Sequence, residues 1–274
     1  MIYDLIETSV DDGRPIELFE IAYSGNRWRY TSADRNIFYL GNTYAAVPCG
    51  RGDLQPADDP SKSDMSFSFP RDIELGDVFR VQPPSEVVTM TVLGNHFGDS
   101  QFITVWKGRI VDCQWEAQYV KLTGESVFSS LRRPGLRRRY QYQCPHALYG
   151  TKCGVNRDLW KQTHPLTGLS GLLLQVNGAV GRPDNYYAGG YVTWENNLNQ
   201  NIEKRMIRSS VGATGLLELS SIPLALAGGQ LVTLYPGCNH TLGESGCGRF
   251  DNEENFGGTP FIPGKNPFGG AAIY

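Results

Sequence analysis

The chain contains 274 residues, with 25 Lys and Arg against 28 Asp and Glu, so that its formal net charge is -3. Hydrophobic residues make up 40% of the sequence and charged residues 19%, a composition that excludes an intrinsically disordered chain. The near-neutral charge argues against a protein that wraps duplex nucleic acid by bulk charge. The 32 glycines and 16 prolines favour turns over long helices, so the composition predicts a mainly β protein of one or two domains.

The start of the chain and its apolar stretches predict neither export nor membrane insertion. Asp4, Glu7, Asp11 and Asp12 fall where a secretory signal needs a basic start and an unbroken apolar run. No stretch approaches the roughly 20 apolar residues of a membrane-spanning helix. We therefore expect a soluble protein that folds in a reducing compartment.

The N-terminal region, residues 1–130, has the alternation of apolar and polar residues that is typical of β-strands. In its clearest segment Met65, Phe67 and Phe69 share one face. Strands at this density predict an antiparallel barrel or sandwich, with a single short helix around Glu125–Leu131. The predicted strands are Asp64–Phe69, Val87–Leu93, Phe102–Trp106 and Tyr119–Leu122.

A basic segment follows, and residues 131–143 are expected to form a linker between two domains. Its arginines flank the turn-forming pair Pro134-Gly135. The segment is consistent with a solvated or ion-paired linker, with a strip that contacts phosphates, or with an interface to an acidic partner. The arginines are Arg132, Arg133, Arg137, Arg138 and Arg139.

The C-terminal region, residues 144–274, contains a predicted small β insert over about residues 160–236. Asn255–Gly270 is rich in Gly and Pro, and we expect it to run extended over the surface. The predicted strands of the insert are Tyr191–Trp194, Lys204–Ser209, Leu216–Leu219 and Gln230–Leu234.

Four of the six cysteines form two pairs, each with eight residues between its members. These are Cys144 with Cys153 and Cys238 with Cys247, and 84 residues separate the two pairs. Each pair lies beside Gly or Pro, in segments where a chain can curl its thiols toward a shared centre. Four thiolates are the ligand set of a tetrahedral zinc site or of an iron–sulfur cluster.

Several alternatives stay open for these cysteines. They could form two disulfides or be unrelated buried thiols, although disulfides are rare in a reducing compartment. Zinc usually takes ligands two to four residues apart, so the spacing is wide, but His146 or His240 could replace a cysteine. An iron–sulfur cluster is larger and tolerates more irregular spacing.

Catalytic motifs are weak in this sequence. A Cys–His hydrolase could pair Cys144 with His164 or Cys49 with His96, but nothing in the spacing favours either pair. The sequence has no P-loop and no dinucleotide-binding glycine motif. We therefore predict that the protein is not an enzyme, and that Cys49 and Cys113 serve in packing.

The cysteine segments resemble those of a known group of virion proteins. The C-terminal region resembles the iron–sulfur-binding domain of the phage lambda tail-tip L protein family, and more closely the tail hub proteins of other siphophages and of gene transfer agents. Weaker likeness lies in Trp28–Ala33 and around Tyr39, Gly41 and Tyr44. The motifs that carry the resemblance are Cys144–Gly154, Pro236-Gly237-Cys238, Cys247 with Arg249-Phe250, and Asn255–Gly258.

The resemblance implies a fold and a cofactor. Residues 1–130 would form a tail-tube-like antiparallel β-barrel, and residues 144–274 would form a β-rich iron–sulfur-binding region. A [4Fe-4S] cluster, with zinc as the alternative, would be held by Cys144, Cys153, Cys238 and Cys247.

The resemblance also implies a location and partners. The protein would be a structural virion component, assembled in the cytoplasm of a bacterial host as a homotrimer, and located at the tail tip. Its partners would be the distal tail protein or tail tube and the central tail-tip or fibre protein, with tape-measure protein or DNA in the lumen as further candidates. An iron–sulfur redox carrier and a zinc-dependent nucleic-acid-binding protein are the alternatives.

Overall fold

The computed structural model describes residues 14–53, 64–80, 84–99, 101–133, 135, 139–197 and 201–263. The chain divides into two compact units, residues 1–135 and residues 136–274, which we call the N-terminal unit and the C-terminal unit. Strands are the main regular secondary structure of both units, so the predicted mainly β class is confirmed. Within the described ranges, no helix is long and apolar enough to cross a lipid bilayer.

The N-terminal unit contains one nine-stranded sheet with the strand order β3-β4-β2-β1-β7-β8-β9-β6-β5. Neighbouring strands are antiparallel except β2 and β4, which are parallel. Closure of this sheet into a barrel stays a prediction. The strands are β1 (Pro15–Tyr23), β2 (Asn26–Thr31), β3 (Ile37–Tyr39), β4 (Asn42–Ala46), β5 (Gly50–Arg51), β6 (Asp64–Pro70), β7 (Thr89–His96), β8 (Ile103–Trp115) and β9 (Tyr119–Ser126).

Alternating residues of these strands build the N-terminal core. Met65, Phe67 and Phe69 are all buried on the same face of β6, as the alternation predicts. Phe67 packs edge-on against Phe19 at 6.3 Å and against Trp106 at 5.0 Å between ring centroids. Pairs of this geometry stabilise a core by about 0.5–1.5 kcal/mol beyond the area they bury.

Helical structure in the N-terminal unit is short. The expected helix around Glu125–Leu131 is a 3₁₀ segment, Val127–Arg132, which begins where the Ser126 hydroxyl accepts a hydrogen bond from the Phe128 N–H at 3.4 Å. The sequence does not predict the four-residue α-helix at Glu74–Asp77, because four residues are too few to show a helical period.

The basic segment is only partly described. Arg132, Arg133 and Arg139 belong to the described residues, whereas Pro134, Arg137 and Arg138 lie outside them. The role of the segment as a linker over residues 131–143 therefore stays a prediction.

The C-terminal unit contains a seven-stranded antiparallel sheet in the order β10-β16-β13-β14-β15-β12-β11. The four strands predicted for the insert correspond to β13 to β16 and are confirmed. A four-residue α-helix, Arg157–Trp160, precedes the sheet, and 3₁₀ segments follow at Asn177–Ala179, Cys247–Phe250 and Glu253–Asn255. The strands are β10 (Gln162–Pro165), β11 (Gly168–Ser170), β12 (Leu173–Gln175), β13 (Tyr191–Glu195), β14 (Ile202–Val211), β15 (Leu216–Leu219) and β16 (Leu231–Tyr235).

Where the chain leaves this sheet toward Cys238, its backbone passes very close to the backbone near Gly190. After β16, Gly237 donates its N–H to the Tyr186 carbonyl at 3.1 Å. A Cβ at residue 237 would lie 2.7 Å from the Gly190 nitrogen, and a Cβ at residue 190 would lie 2.9 Å from the Gly237 nitrogen. Only two glycines allow the two backbones to approach so closely, and the crossing fixes the position from which Cys238 begins.

Candidate metal centre

The first cysteine pair lies in a compact loop, residues 144–154, which we call the first hook. Its backbone folds on itself, since Gly150 donates to the Ala147 carbonyl at 3.0 Å and Gly154 donates to the Gly150 carbonyl at 2.9 Å. Cys144 and Cys153 are both buried. The hook thus points two thiols into the interior of the C-terminal unit.

Tyr149 anchors the first hook to the end of the insert. Its backbone has a φ of +61°, a conformation that costs a non-glycine residue free energy and that functional loops often hold. Its hydroxyl donates to the Pro236 carbonyl at 2.7 Å, and its ring packs edge-on against Tyr235 and Phe250. Burial raises the pKa of Tyr149, so the phenol keeps the proton that this hydrogen bond needs.

The second cysteine pair lies in residues 238–247, the second hook. Cys247 donates its N–H to the Thr241 carbonyl at 2.8 Å. The side-chain oxygen of Asn239 accepts hydrogen bonds from the Thr241 N–H at 3.1 Å and from the Thr241 hydroxyl at 2.7 Å. His240 has a φ of +63°, so this hook also contains a non-glycine residue in the left-handed region.

Arg249 ties the second hook to the sheet. One guanidinium nitrogen donates to the Tyr186 carbonyl at 2.7 Å and to the Gly237 carbonyl at 2.5 Å. The guanidinium also lies 4.5 Å from the centre of the Tyr186 ring. These contacts hold the beginning and the end of the second hook against the same point of the insert.

Residues 252–257, which we call the closing segment, reach back to the first hook. The Asn252 amide donates to the Cys153 carbonyl at 2.6 Å and lies 3.8 Å from the Cys153 sulfur. Gly257 donates its N–H to the Cys144 sulfur at 3.3 Å. A Cβ at residue 257 would lie 2.6 Å from Cδ2 of His146, so a larger residue here would have to displace the His146 ring.

Hydrogen bonds join the two hooks near Cys144 and Cys238. Cys144 donates its N–H to the His240 carbonyl at 2.8 Å, and His240 donates its own N–H to the Cys238 sulfur at 3.3 Å. Burial raises the pKa of Cys247 to about 11, and the charges of Cys238, Cys144 and Cys153 raise it further. Such charge effects weaken with distance, so the four cysteines belong to one part of the C-terminal unit, and their shared role as ligands stays a prediction.

Burial also raises the pKa of Cys238, whereas the hydrogen bond from His240 lowers it. All six cysteines are free thiols, so the disulfide alternative is not observed. Backbone and amide N–H groups directed at cysteine sulfurs stabilise the negative charge of thiolates and of clusters that thiolates bind. The arrangement therefore suits a negatively charged metal group that cysteine sulfurs bind.

Among the residues that the structure describes, no three His, Cys, Asp or Glu side chains form a group that could hold one metal ion. A zinc ion binds each of its sulfur ligands at about 2.3 Å, whereas a multi-iron cluster separates its cysteine sulfurs more widely. The choice between a cluster and zinc stays a prediction.

The surroundings of Cys49, Cys144 and His164 argue against the hydrolase alternative. Burial raises the pKa of Cys49 to about 12, so this thiol is a poor nucleophile near neutral pH. The sulfur of Cys144 instead accepts the N–H of Gly257 from the closing segment. The ring of His164, on β10, packs against Gly178 in the insert. These contacts give Cys49, Cys144 and His164 a structural setting, and a role outside catalysis stays a prediction.

Sequence reasoning did not identify Asn252 or the roles of Tyr149 and Arg249. Glu253, beside Asn252, is close enough to raise the pKa of Cys247. The one available signal was position, because these residues lie beside the cysteines and beside Asn255–Gly258.

Comparisons with known proteins find a partial match to a phage family model, a bacterial relative and a solved structure of similar fold. A family model described as "Phage conserved hypothetical protein BR0599" matches residues 185–266, which contain most of the insert, the second hook and the closing segment. An uncharacterized protein of Xylella fastidiosa (strain 9a5c) is 27% identical over 191 residues, covering 64% of this chain. The aligned part spans 39% of that relative's length.

The fold also has a solved counterpart. A chain from the virion of a native gene transfer agent particle superposes with a TM-score of 0.74 at 18% identity, over 95% of this chain and 92% of that chain. The two chains therefore share their fold across both units.

Proposed function

We propose that the protein is a non-enzymatic structural component of a phage-type or gene-transfer-agent tail. The observation that carries this proposal is the fold likeness to a virion chain over 95% of the sequence. The match of residues 185–266 to a phage family model supports the same class independently. The more specific likeness to the phage lambda protein stays a prediction.

Within that class we place the protein at the hub of the tail tip, as a homotrimer between the tail tube and the central tail-tip or fibre protein. The distal tail protein is the expected neighbour on the tube side, with tape-measure protein or DNA in the lumen. Assembly would take place in the cytoplasm of the bacterial host. Light scattering of the purified protein should give a trimer, and negative-stain images should show rings; a monomer at all concentrations would contradict this placement.

We further propose that Cys144, Cys153, Cys238 and Cys247 hold a [4Fe-4S] cluster. The hydrogen bonds to the sulfurs of Cys144 and Cys238 support this assignment, since they favour negatively charged sulfur. When bound, the cluster would supply four metal–thiolate bonds that join both hooks. The protein's own residues orient the thiols, bury them and donate the N–H groups.

The physical role of such a group is cohesion. The two hooks enclose 84 residues, and tying the ends of a loop of this length removes about 4 kcal/mol of unfolded-state entropy. Because the hooks are rich in glycine and contribute few apolar side chains, they need such a link more than the sheet does. Metal-binding free energy becomes folding free energy in sites of this kind.

The test is an anaerobic purification followed by an absorption spectrum, iron and zinc analysis, and thermal melting. Wild type should be brown with about four irons per chain, and Cys238→Ser should lose iron together with the stability of the C-terminal unit. Cys113→Ser, a half-buried thiol of the N-terminal unit, is the matched control and should keep both. A colourless protein with one zinc, or a Cys238→Ser variant that melts and absorbs as wild type does, would refute the assignment.

A further inference from the structure

Asn252 touches both hooks at once. Its backbone N–H donates to the Cys247 carbonyl at 3.2 Å, and its side-chain amide donates to the Cys153 carbonyl at 2.6 Å. The two cysteines are far apart in sequence, so a single residue joins the ends of the two hooks. The same amide nitrogen lies 3.8 Å from the Cys153 sulfur.

The amide of Asn252 is held in one orientation. Asn255 donates its own amide N–H to the Asn252 side-chain oxygen at 2.7 Å, which leaves the nitrogen of Asn252 directed at Cys153. The Asn255 amide in turn lies beside Gly154, where a Cβ would be 3.4 Å from its nitrogen. Hydrogen bonds are therefore donated in one direction, from Asn255 to Asn252 and from Asn252 to Cys153.

We propose that Asn252 is a positioning residue that fixes Cys153 relative to the second hook and lowers the negative charge at its sulfur, and that Asn255 orients it. This proposal rests on the cluster site proposed above. An amide at position 252 is needed because it donates through nitrogen while its oxygen accepts from Asn255. An aspartate at position 252 would have the same shape but no hydrogen-bond donor. Its negative charge would face the carbonyl oxygen and the sulfur of Cys153, which both carry negative charge.

The proposal gives Asn252 two separable effects. The first is mechanical, since the link restrains Cys153 even when no metal is bound. The second is electrostatic, since an N–H near a ligand sulfur makes it easier for the site to accept an electron and therefore raises the reduction potential of the bound group.

The test compares Asn252→Asp with Asn156→Asp in the full chain. Asn156 accepts a hydrogen bond from the Asp158 N–H at 3.0 Å, a role that a carboxylate also performs, so the control adds the same charge without removing a donor. In iron-free protein, alkylation of Cys153 by iodoacetamide, followed by peptide mass spectrometry, should be at least severalfold faster in Asn252→Asp. In iron-loaded protein, the midpoint potential should move to more negative values than in the control.

Equal alkylation rates in the two variants would overturn the proposal, and so would equal potentials. If wild type binds no iron, the cluster proposal fails, while the alkylation rates still decide whether Asn252 restrains Cys153. Asn255→Asp provides a second route should Asn252→Asp fail to fold. Asn255→Asp removes the hydrogen-bond donor that orients Asn252. It should speed the alkylation of Cys153 and make the midpoint potential more negative, each by less than Asn252→Asp does.

Discussion

Gly246, the residue before Cys247, is the position where an added methyl group should harm the second hook most. A Cβ there would lie 2.6 Å from the Thr241 carbonyl carbon and 2.8 Å from the Asn239 side-chain oxygen. The Thr241 carbonyl oxygen lies closer still to this Cβ, and ordinary contact begins at 3.4 Å, so the carbonyl must retreat by more than 0.8 Å (3.4 minus 2.6). Since this carbonyl accepts the Cys247 N–H at 2.8 Å, the retreat would stretch that hydrogen bond beyond 3.5 Å and break it.

The magnitude follows from two contributions. Forcing a methyl group into a packed site costs about 1–3 kcal/mol, and losing the hydrogen bond costs about 0.5–1.5 kcal/mol. Gly246→Ala should therefore destabilise the C-terminal unit by about 2–4 kcal/mol. Because each 1.4 kcal/mol is a factor of about ten in an equilibrium constant, we also expect iron to dissociate at least tenfold faster in the presence of a chelator.

The assay is urea unfolding of the iron-free protein together with the rate of iron release from loaded protein. Gly243→Ala is the matched control in the same hook, because a Cβ there meets no atom within 4 Å. If Gly246→Ala unfolds at the same urea concentration as Gly243→Ala, the crowding argument for the second hook is refuted.

Three further predictions concern other parts of the molecule. Arg249→Met should destabilise the C-terminal unit by about 2–3 kcal/mol, since it removes a charged donor to the carbonyls of Tyr186 and Gly237. Urea unfolding measures this loss, and an unchanged unfolding midpoint would contradict the role given to Arg249. Phe67→Ala should cost about 3–5 kcal/mol in the N-terminal unit and leave the iron content unchanged; a loss of iron would show that the cysteine site depends on the N-terminal core. Burial raises the pKa of Cys49 to about 12 and that of Cys113 to about 11, so at pH 9.5 both should alkylate far more slowly in folded than in urea-unfolded protein; equal rates by mass spectrometry would contradict this.

The sequence predicted β6 to β9 and β13 to β16, but it did not predict β1 to β5 or β10 to β12. The apolar alternation of β6 is a direct consequence of one face being buried, so Met65, Phe67 and Phe69 could be assigned to the core from their spacing alone. The strand predicted in the region of β8 ends at Trp106, although β8 continues to Trp115. The next inward position after Trp106 is Gly108, which carries no apolar side chain, and the register shift between Ile110 and Asp112 then breaks the alternation.

The cysteines of the candidate site could be named because their spacing is regular and their surroundings resemble a known group. The residues that position them could not. The side chain of Asn252 bonds a residue 99 positions earlier, and Arg249 bonds the Tyr186 carbonyl 63 positions earlier. Contacts of this kind depend on how the insert folds between them, and no local pattern in the chain encodes that distance.

The order in which the chain is made gives the closing segment a consequence of its own. Cys144 and Cys153 leave the ribosome about a hundred residues before Asn252 and Gly257, whose N–H groups they require as partners. A nascent or truncated chain that ends before residue 252 thus presents unprotected sulfurs and an unfinished site. Under the proposed function, the cysteine site is therefore completed only after residues 252–257 have been made.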